Sequence, residues 1–160
     1  MSRLKTGGYA PLFDRLEQSA DSEKNGAQWL DIANLESSVF KELNRISQTR
    51  SRLSFFEFLN KQNLTVLDYG LPDFYGNSVQ NSDSRKNINQ ILVKAFHFFE
   101  PRLKNITIRY LVDHQNKSEL KFEIMGNLMA DESTEPVTFL VSSKDSIENY
   151  KLVESDHVKS

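Results

Sequence analysis

The sequence predicts an α+β fold in which two main helices pack on a small antiparallel β-meander, with an N-terminal arm in front. Two patterns carry this prediction. In the first two thirds of the chain, apolar residues recur with the 3.6-residue period of amphipathic helices, and after about residue 104 they alternate with polar residues as in half-buried strands. Helices followed by strands favour α+β over an alternating α/β order. We expect an arm over residues 1–30, the folded domain over residues 31–143 and a polar tail over residues 144–160.

The first main helix is expected over residues 34–49. Leu35, Val39, Leu43 and Ile46 fall at i, i+4, i+8 and i+11, which is one stripe of a helix. Charged residues occupy the opposite side, so this helix should bury one face.

The stretch from residue 52 to residue 75 is rich in aromatic residues, which favours core packing over a ligand site. A short helix is predicted over residues 55–61. Gly70 and Pro72 then predict a turn, because proline fixes φ and glycine permits unusual backbone dihedrals.

The second main helix should begin near residues 82–84, where Ser82, Asp83 or Ser84 can cap the free N–H groups. It must end by Phe99, because the residue that precedes Pro101 is pushed out of the helical region.

Three strands are predicted over residues 105–113, 119–129 and 136–143, because apolar and polar residues alternate in each. The first two form a hairpin, and a short loop joins the second to the third. The tail that follows is polar and carries one weak apolar patch, namely Tyr150, Leu152 and Val153.

Composition excludes several classes of function. The chain has 160 residues and a net charge of −2, with both signs spread along it and no basic stripe of the kind that nucleic-acid binders carry. It has no cysteine, which excludes disulfides and thiolate chemistry. No signal peptide or membrane-spanning run is seen, so a cytoplasmic protein is expected.

The sequence predicts neither a catalytic site nor a metal or cofactor site. The three histidines are scattered and no nucleotide-binding motif occurs. A glycosidase needs two carboxyl groups about 5–10 Å apart, one of them protonated, and Glu36, Asp73 and Glu100 are the candidates. Glu36 lies at a helix N-terminus and Glu100 lies close to Arg102, and both settings favour the charged form.

Two short strings, with their order and context, resemble a known family. They are Tyr69-Gly70-Leu71-Pro72-Asp73 and Glu100-Pro101-Arg102-Leu103. The arm's Leu12-Phe13-Asp14-Arg15-Leu16 and the first helix's Gln48-Thr49-Arg50 add to the likeness. Over about residues 10–143 the chain is similar to the baseplate wedge family of contractile-tailed phages, historically labelled lysozyme-like, whose type VI secretion members are the TssE proteins.

The resemblance implies a structural role without lysozyme activity. Such proteins join a baseplate wedge with the subunits TssF, TssG and TssK, and they help template the first sheath ring of TssB and TssC. It further implies location in the cytoplasm, at the baseplate docked on the inner membrane. The residues expected to bind partners are Leu12, Phe13, Leu16, Tyr69, Gly70, Leu71, Pro72, Asp73, Glu100, Pro101 and Arg102.

Arg102 has two possible roles. It can clamp a carboxylate of a partner bidentately, or it can hold Glu100 or Glu36 within its own fold. Two rival functions also stay open at this point: a regulatory anti-adaptor that shares the fold, and a peptidoglycan hydrolase.

Overall fold

Helices precede the main sheet along the chain, as the sequence predicts. The computed structural model describes residues 7–9, 29–74, 81–111, 119–130, 133–144 and 150–153. Within these ranges the α+β prediction is confirmed. The elements are β1 Gly7–Tyr9, β2 Trp29–Asp31, α1 Ile32–Gln48, α2 Phe55–Asn60, a 3₁₀ turn Val66–Asp68, α3 Ser82–Phe99, β3 Leu103–Leu111, β4 Glu119–Ala130, β5 Ser133–Lys144 and β6 Tyr150–Val153.

Helix α1 begins two residues before the predicted start, because Asp31 caps it. The Asp31 carboxylate accepts a hydrogen bond from the backbone N–H of Asn34 at 2.9 Å. The predicted apolar stripe is confirmed as its buried face: Leu35, Val39, Leu43 and Ile46 are all at most 1% exposed.

The short helix α2 is stabilised at both ends by side chains. Ser54 and Glu57 form a capping box at its start. At its end, Lys94 Nζ donates to the backbone carbonyl oxygens of Phe58, at 2.8 Å, and of Lys61. A cation that binds the last carbonyl groups of a helix also complements the helix dipole, so α3 holds α2 in place.

Helix α3 starts at Ser82, as predicted, but its N-cap lies one residue before the predicted capping residues, and it ends where the sequence requires. Asn81 is the N-cap and accepts from the N–H of Asp83 at 2.9 Å. The helix ends at Phe99, and the N–H of Glu100 still donates to the carbonyl oxygen of Phe96 at 2.9 Å. Pro101 thus sets the end of the helix, as expected.

The main sheet has the order β3-β4-β5-β6, with each pair antiparallel. The meander of β3, β4 and β5 is the predicted one. Strand β6 differs from the prediction, because the sequence indicates only a polar tail here. It pairs with the end of β5, from Leu140 opposite Val153 to Ser143 opposite Tyr150.

A second difference from the prediction lies in the arm, where β1 pairs with β2 in a small antiparallel sheet. Gly7 is buried, and a Cβ added to Gly8 would lie 3.4 Å from the side chain of Leu35. Part of the arm therefore packs on α1. The predicted docking residues Leu12, Phe13 and Leu16 lie outside the described residues.

The core lies between the helices and one face of the main sheet. Its buried side chains come from α1, α2, α3 and β3 to β5, among them Phe58, Phe96, Leu103, Ile124 and Leu128. In the described part of the chain, no helix combines the length and apolarity needed to cross a membrane.

Candidate partner-binding site

The turn that begins at Gly70 packs against the end of α1. The N–H of Leu71 donates to the carbonyl oxygen of Thr49 at 2.9 Å, and the N–H of Ser51 donates to the carbonyl oxygen of Leu71 at 2.8 Å. The result is a single parallel bridge between Arg50 and Leu71. The chain that follows α1 and the string that begins at Tyr69 thus share backbone hydrogen bonds.

Glycine is required at position 70 for two reasons. Its φ is +99°, a conformation that residues with a Cβ rarely adopt. A Cβ at this position would also lie 2.3 Å from the carbonyl oxygen of Thr49. Only glycine allows the turn to approach α1 this closely.

At the surface, the same junction carries an exposed ion pair. Arg50 Nη1 lies 2.7 Å from Asp73 Oδ2, and the two side chains are 53% and 56% exposed. The last residue of the first string therefore sits beside the arginine that follows α1, where a partner can reach both.

Tyr69 connects this turn to α1 and α3. Its hydroxyl donates to Glu42 Oε1 at 2.6 Å, and its ring packs edge-on against Phe99, with 5.1 Å between ring centroids. Burial, together with the hydrogen bond to the Glu42 carboxylate, raises the pKa of Tyr69 well above its usual range. The phenol therefore stays a hydrogen-bond donor over the physiological pH range.

The second string forms a buried clamp. Arg102 donates to Glu100 through Nε, at 2.8 Å from Oε1, and through Nη2, at 2.6 Å from Oε2. The Glu100 side chain is 1% exposed and that of Arg102 is 19% exposed. Of the two roles expected for Arg102, the internal clamp is present; contact with a partner stays a prediction.

The backbone of this string is a β-turn. The N–H of Leu103 donates to the carbonyl oxygen of Glu100 at 3.1 Å, and Pro101 occupies the second turn position, which favours proline. The Arg102 carbonyl oxygen accepts from the N–H of Met129 at 2.8 Å. The string therefore fixes the connection between the end of α3 and the start of β3.

The structure adds residues that the motif strings do not include. Arg102 Nη1 donates to Ser38 Oγ at 2.8 Å, and Ser38 is a buried residue of α1. A serine beside the apolar stripe of a helix is the signal that sequence reasoning missed. Ser38 and Glu42 both belong to α1, so each of the two strings is hydrogen-bonded to this helix.

Asp68 is a further residue that the sequence analysis missed. Its side chain is fully buried and forms ion pairs with Lys61, at 2.6 Å, and with Arg52, at 3.2 Å. Thr65 donates to the same carboxylate through its N–H and its hydroxyl, at 2.8 and 2.9 Å. The spacing of Thr65 and Asp68 is a capping-box signal, although burial of the carboxylate depends on distant residues.

Two of the three carboxyl groups considered for hydrolysis form ion pairs. Glu100 is gripped by Arg102, and Asp73 pairs with Arg50. These ion pairs fix the positions of the two strings relative to their neighbours.

Comparison with known proteins agrees with this geometry. The model of the family described as "Baseplate wedge protein gp25" matches residues 33–133, more than half of the chain and both motif strings. No curated protein and no solved structure gives a match. The match confirms the resemblance seen in the sequence: this chain belongs to the baseplate wedge protein gp25 family.

Proposed function

We propose that the chain is a structural component of a type VI secretion baseplate, where it joins the wedge and helps template the contractile sheath. The observation that carries the proposal is the family match over residues 33–133, since this family is one of structural baseplate proteins. The geometry of the two strings agrees with such a role.

A wedge subunit has to present its contact residues in a fixed arrangement. Here Tyr69 is tied to Glu42, and Arg102 to Ser38, so both strings are anchored on α1. A preorganised surface loses less entropy when it binds. The exposed Arg50–Asp73 pair supplies charges that a partner can engage, and the proposed partners are TssF, TssG and TssK.

The main sheet supports the templating role. Among the described strands, β3 and β6 lie at the two edges. Extended segments of other proteins can add to such an edge through main-chain hydrogen bonds. We propose that segments of TssB or TssC add in this way, at a cytoplasmic baseplate docked on the inner membrane.

Co-purification tests the proposal. The tagged chain is co-expressed with TssF, TssG and TssK from the same gene cluster, and separately with TssB and TssC. We expect it to recover wedge subunits in stable complexes. Failure of the folded wild-type chain to recover any of them would overturn the proposal.

A charge reversal sharpens the test. Arg50→Glu should weaken recovery of the wedge subunits, because Arg50 lies in the exposed part of the site. Arg109→Glu is the matched control, since Arg109 also forms an exposed ion pair, with Glu123 at 2.6 Å, but lies on the sheet. Equal effects of the two variants would indicate a general charge effect instead of a specific contact.

A further inference from the structure

In the 3₁₀ turn Val66–Asp68 the charged residue is buried and the two apolar residues are exposed. Asp68 is fully buried, whereas Val66 is 82% and Leu67 is 70% exposed. Scattered exposed apolar residues are ordinary on protein surfaces. A turn that buries its carboxylate and projects both of its apolar side chains is not ordinary, because burial of a charge is costly unless the charge is paired.

The buried carboxylate makes this turn rigid. Lys61, Thr65 and Arg52 donate to it, and these bonds, led by that from Lys61, hold the pKa of Asp68 well below its usual range. The 3₁₀ turn is also closed by the N–H of Asp68, which donates to the carbonyl oxygen of Thr65 at 2.9 Å. Val66 and Leu67 are thus held outward by a fixed, charged anchor.

The same anchor connects the turn to the candidate site. The hydroxyl of Ser51 donates to the carbonyl oxygen of Asp68 at 2.8 Å. The N–H of Ser51 donates to the carbonyl oxygen of Leu71, also at 2.8 Å. Tyr69, which follows Asp68 directly, bonds to Glu42. The exposed apolar pair is therefore continuous with the surface proposed above to meet the wedge.

The rim of this apolar pair is basic. Arg52 is 60% and Lys61 is 31% exposed, and the two cations share one buried carboxylate. Asp68, Lys61 and Arg52 together carry a net charge of +1, and the exposed Glu57 carboxylate also interacts with Arg52. A partner that covers this anchor is favoured by carboxylates at the edge of its binding pocket, because complementary charge stabilises and orients the contact.

We propose that Val66 and Leu67, here called the Val66–Leu67 knob, insert into an apolar pocket rimmed by carboxylates on another baseplate subunit. The proposal rests on the proposed function. Two side chains are far too few for a whole interface, which buries about 800 Å² on each partner. The knob is instead a rigid anchor at the centre of a wider contact, where binding energy concentrates.

The test uses the full chain and the double variant Val66→Ser/Leu67→Ser, with a co-purified TssF–TssG assembly as the probe. The melting temperature should change little, because both side chains are largely exposed. Affinity should fall at least about tenfold, since two apolar side chains lose their buried contacts. Phe56→Ser is the matched control: Phe56 is 68% exposed, and its removal should leave affinity within about threefold of wild type.

The basic rim gives a second measurement. Wild-type affinity should fall as salt rises from about 50 to about 500 mM, because salt screens the rim charges. Unchanged affinity of the double variant, or an equal loss in Phe56→Ser, would overturn the knob while the proposed function stands. Self-association of the wild-type chain that the double variant abolishes would assign the knob to a second copy and overturn a subunit pocket. If the wild-type chain does not bind the assembly, the proposed function fails as well.

Discussion

Arg102 grips both carboxylate oxygens of Glu100, two residues before it in the chain, through Nε at 2.8 Å and Nη2 at 2.6 Å. Since Glu100 is 1% exposed, this bidentate pair lies inside the fold. Ser38 of α1 receives a further N–H of the same guanidinium, at 2.8 Å. The pair therefore joins the end of α3, the start of β3 and α1.

Arg102→Ala should destabilise the chain by about 3–5 kcal/mol, because it leaves the buried Glu100 carboxylate without its partner. Arg102→Lys should recover only part of this loss, since an ammonium group cannot form the two parallel bonds. Urea denaturation measures the free energy of unfolding of each variant.

Arg109→Ala is the control for that experiment. Arg109 contacts Glu123 through two nitrogens, at 3.0 and 2.6 Å, but its side chain is 63% exposed. Exposed pairs contribute about 1 kcal/mol or less, so this variant should stay close to wild type. A stable Arg102→Ala protein that fails to bind the wedge would show that Arg102 acts mainly at an interface.

Gly70→Ala should destabilise the chain by at least about 2 kcal/mol, because it forces a Cβ into the left-handed region and against the Thr49 carbonyl oxygen. Gly8→Ala is the matched control, since a Cβ there meets Leu35 at an ordinary 3.4 Å. Melting temperatures compare the two. Equal melting temperatures for both variants would mean that the turn relaxes away from α1.

Asp68→Asn should lower stability at pH 7 and change it less at pH 3. The pKa of Asp68 is lowered in the folded state, so its stabilisation is complete above the unfolded value of about 4 and is lost as pH falls towards the folded value. Denaturation at both pH values gives the difference between variant and wild type. A difference that grows at low pH would contradict the charged anchor.

Asp73→Asn is the control for the pH experiment, because Asp73 forms an exposed pair with Arg50. It should change the free energy of unfolding by about 1 kcal/mol or less. A loss as large as that of Asp68→Asn would mean that burial of the carboxylate does not distinguish the two sites.

Substitution of Leu12, Phe13 and Leu16 by serine should leave thermal stability unchanged and weaken co-purification with wedge subunits. Leu12, Phe13 and Leu16 have the spacing of a short helix, and such a helix is too short to be stable alone, since isolated helices under about 12 residues are marginal in water. Substitution is preferable to truncation, because a deletion of the N-terminus also removes β1. A large fall in melting temperature would place these residues in the core.

Local signals made much of the fold predictable. The spacing of Leu35, Val39, Leu43 and Ile46 identifies the buried face of α1, and Pro101 sets the end of α3. Helix starts were less certain, because Asp31 and Asn81 compete with polar neighbours that are equally able to cap.

Three short strands, β1, β2 and β6, were not predicted, and the composition and length of β1 and β6 show why. Strand β1 consists of Gly7, Gly8 and one tyrosine, and glycine is depleted in strands. Strand β6 spans Tyr150–Val153, too short for alternation to be distinctive.

The sequence shows which short motifs form the candidate site, but it does not show which other residues contact them. The strings at Tyr69 and Glu100 are visible in the sequence, whereas Ser38 lies 64 residues from Arg102 and is brought to it by packing. The burial of Asp68 likewise depends on Arg52, 16 residues before it. Such contacts leave no periodic trace in one sequence.

Imaging of sheath assembly tests the central claim most directly. In the native bacterium, a fluorescent sheath subunit is followed in cells that lack this chain and in cells that regain it. A structural baseplate role predicts that extended sheaths are absent without the chain and return with the wild-type protein. Sheaths of normal number and length in the deletion strain would contradict it.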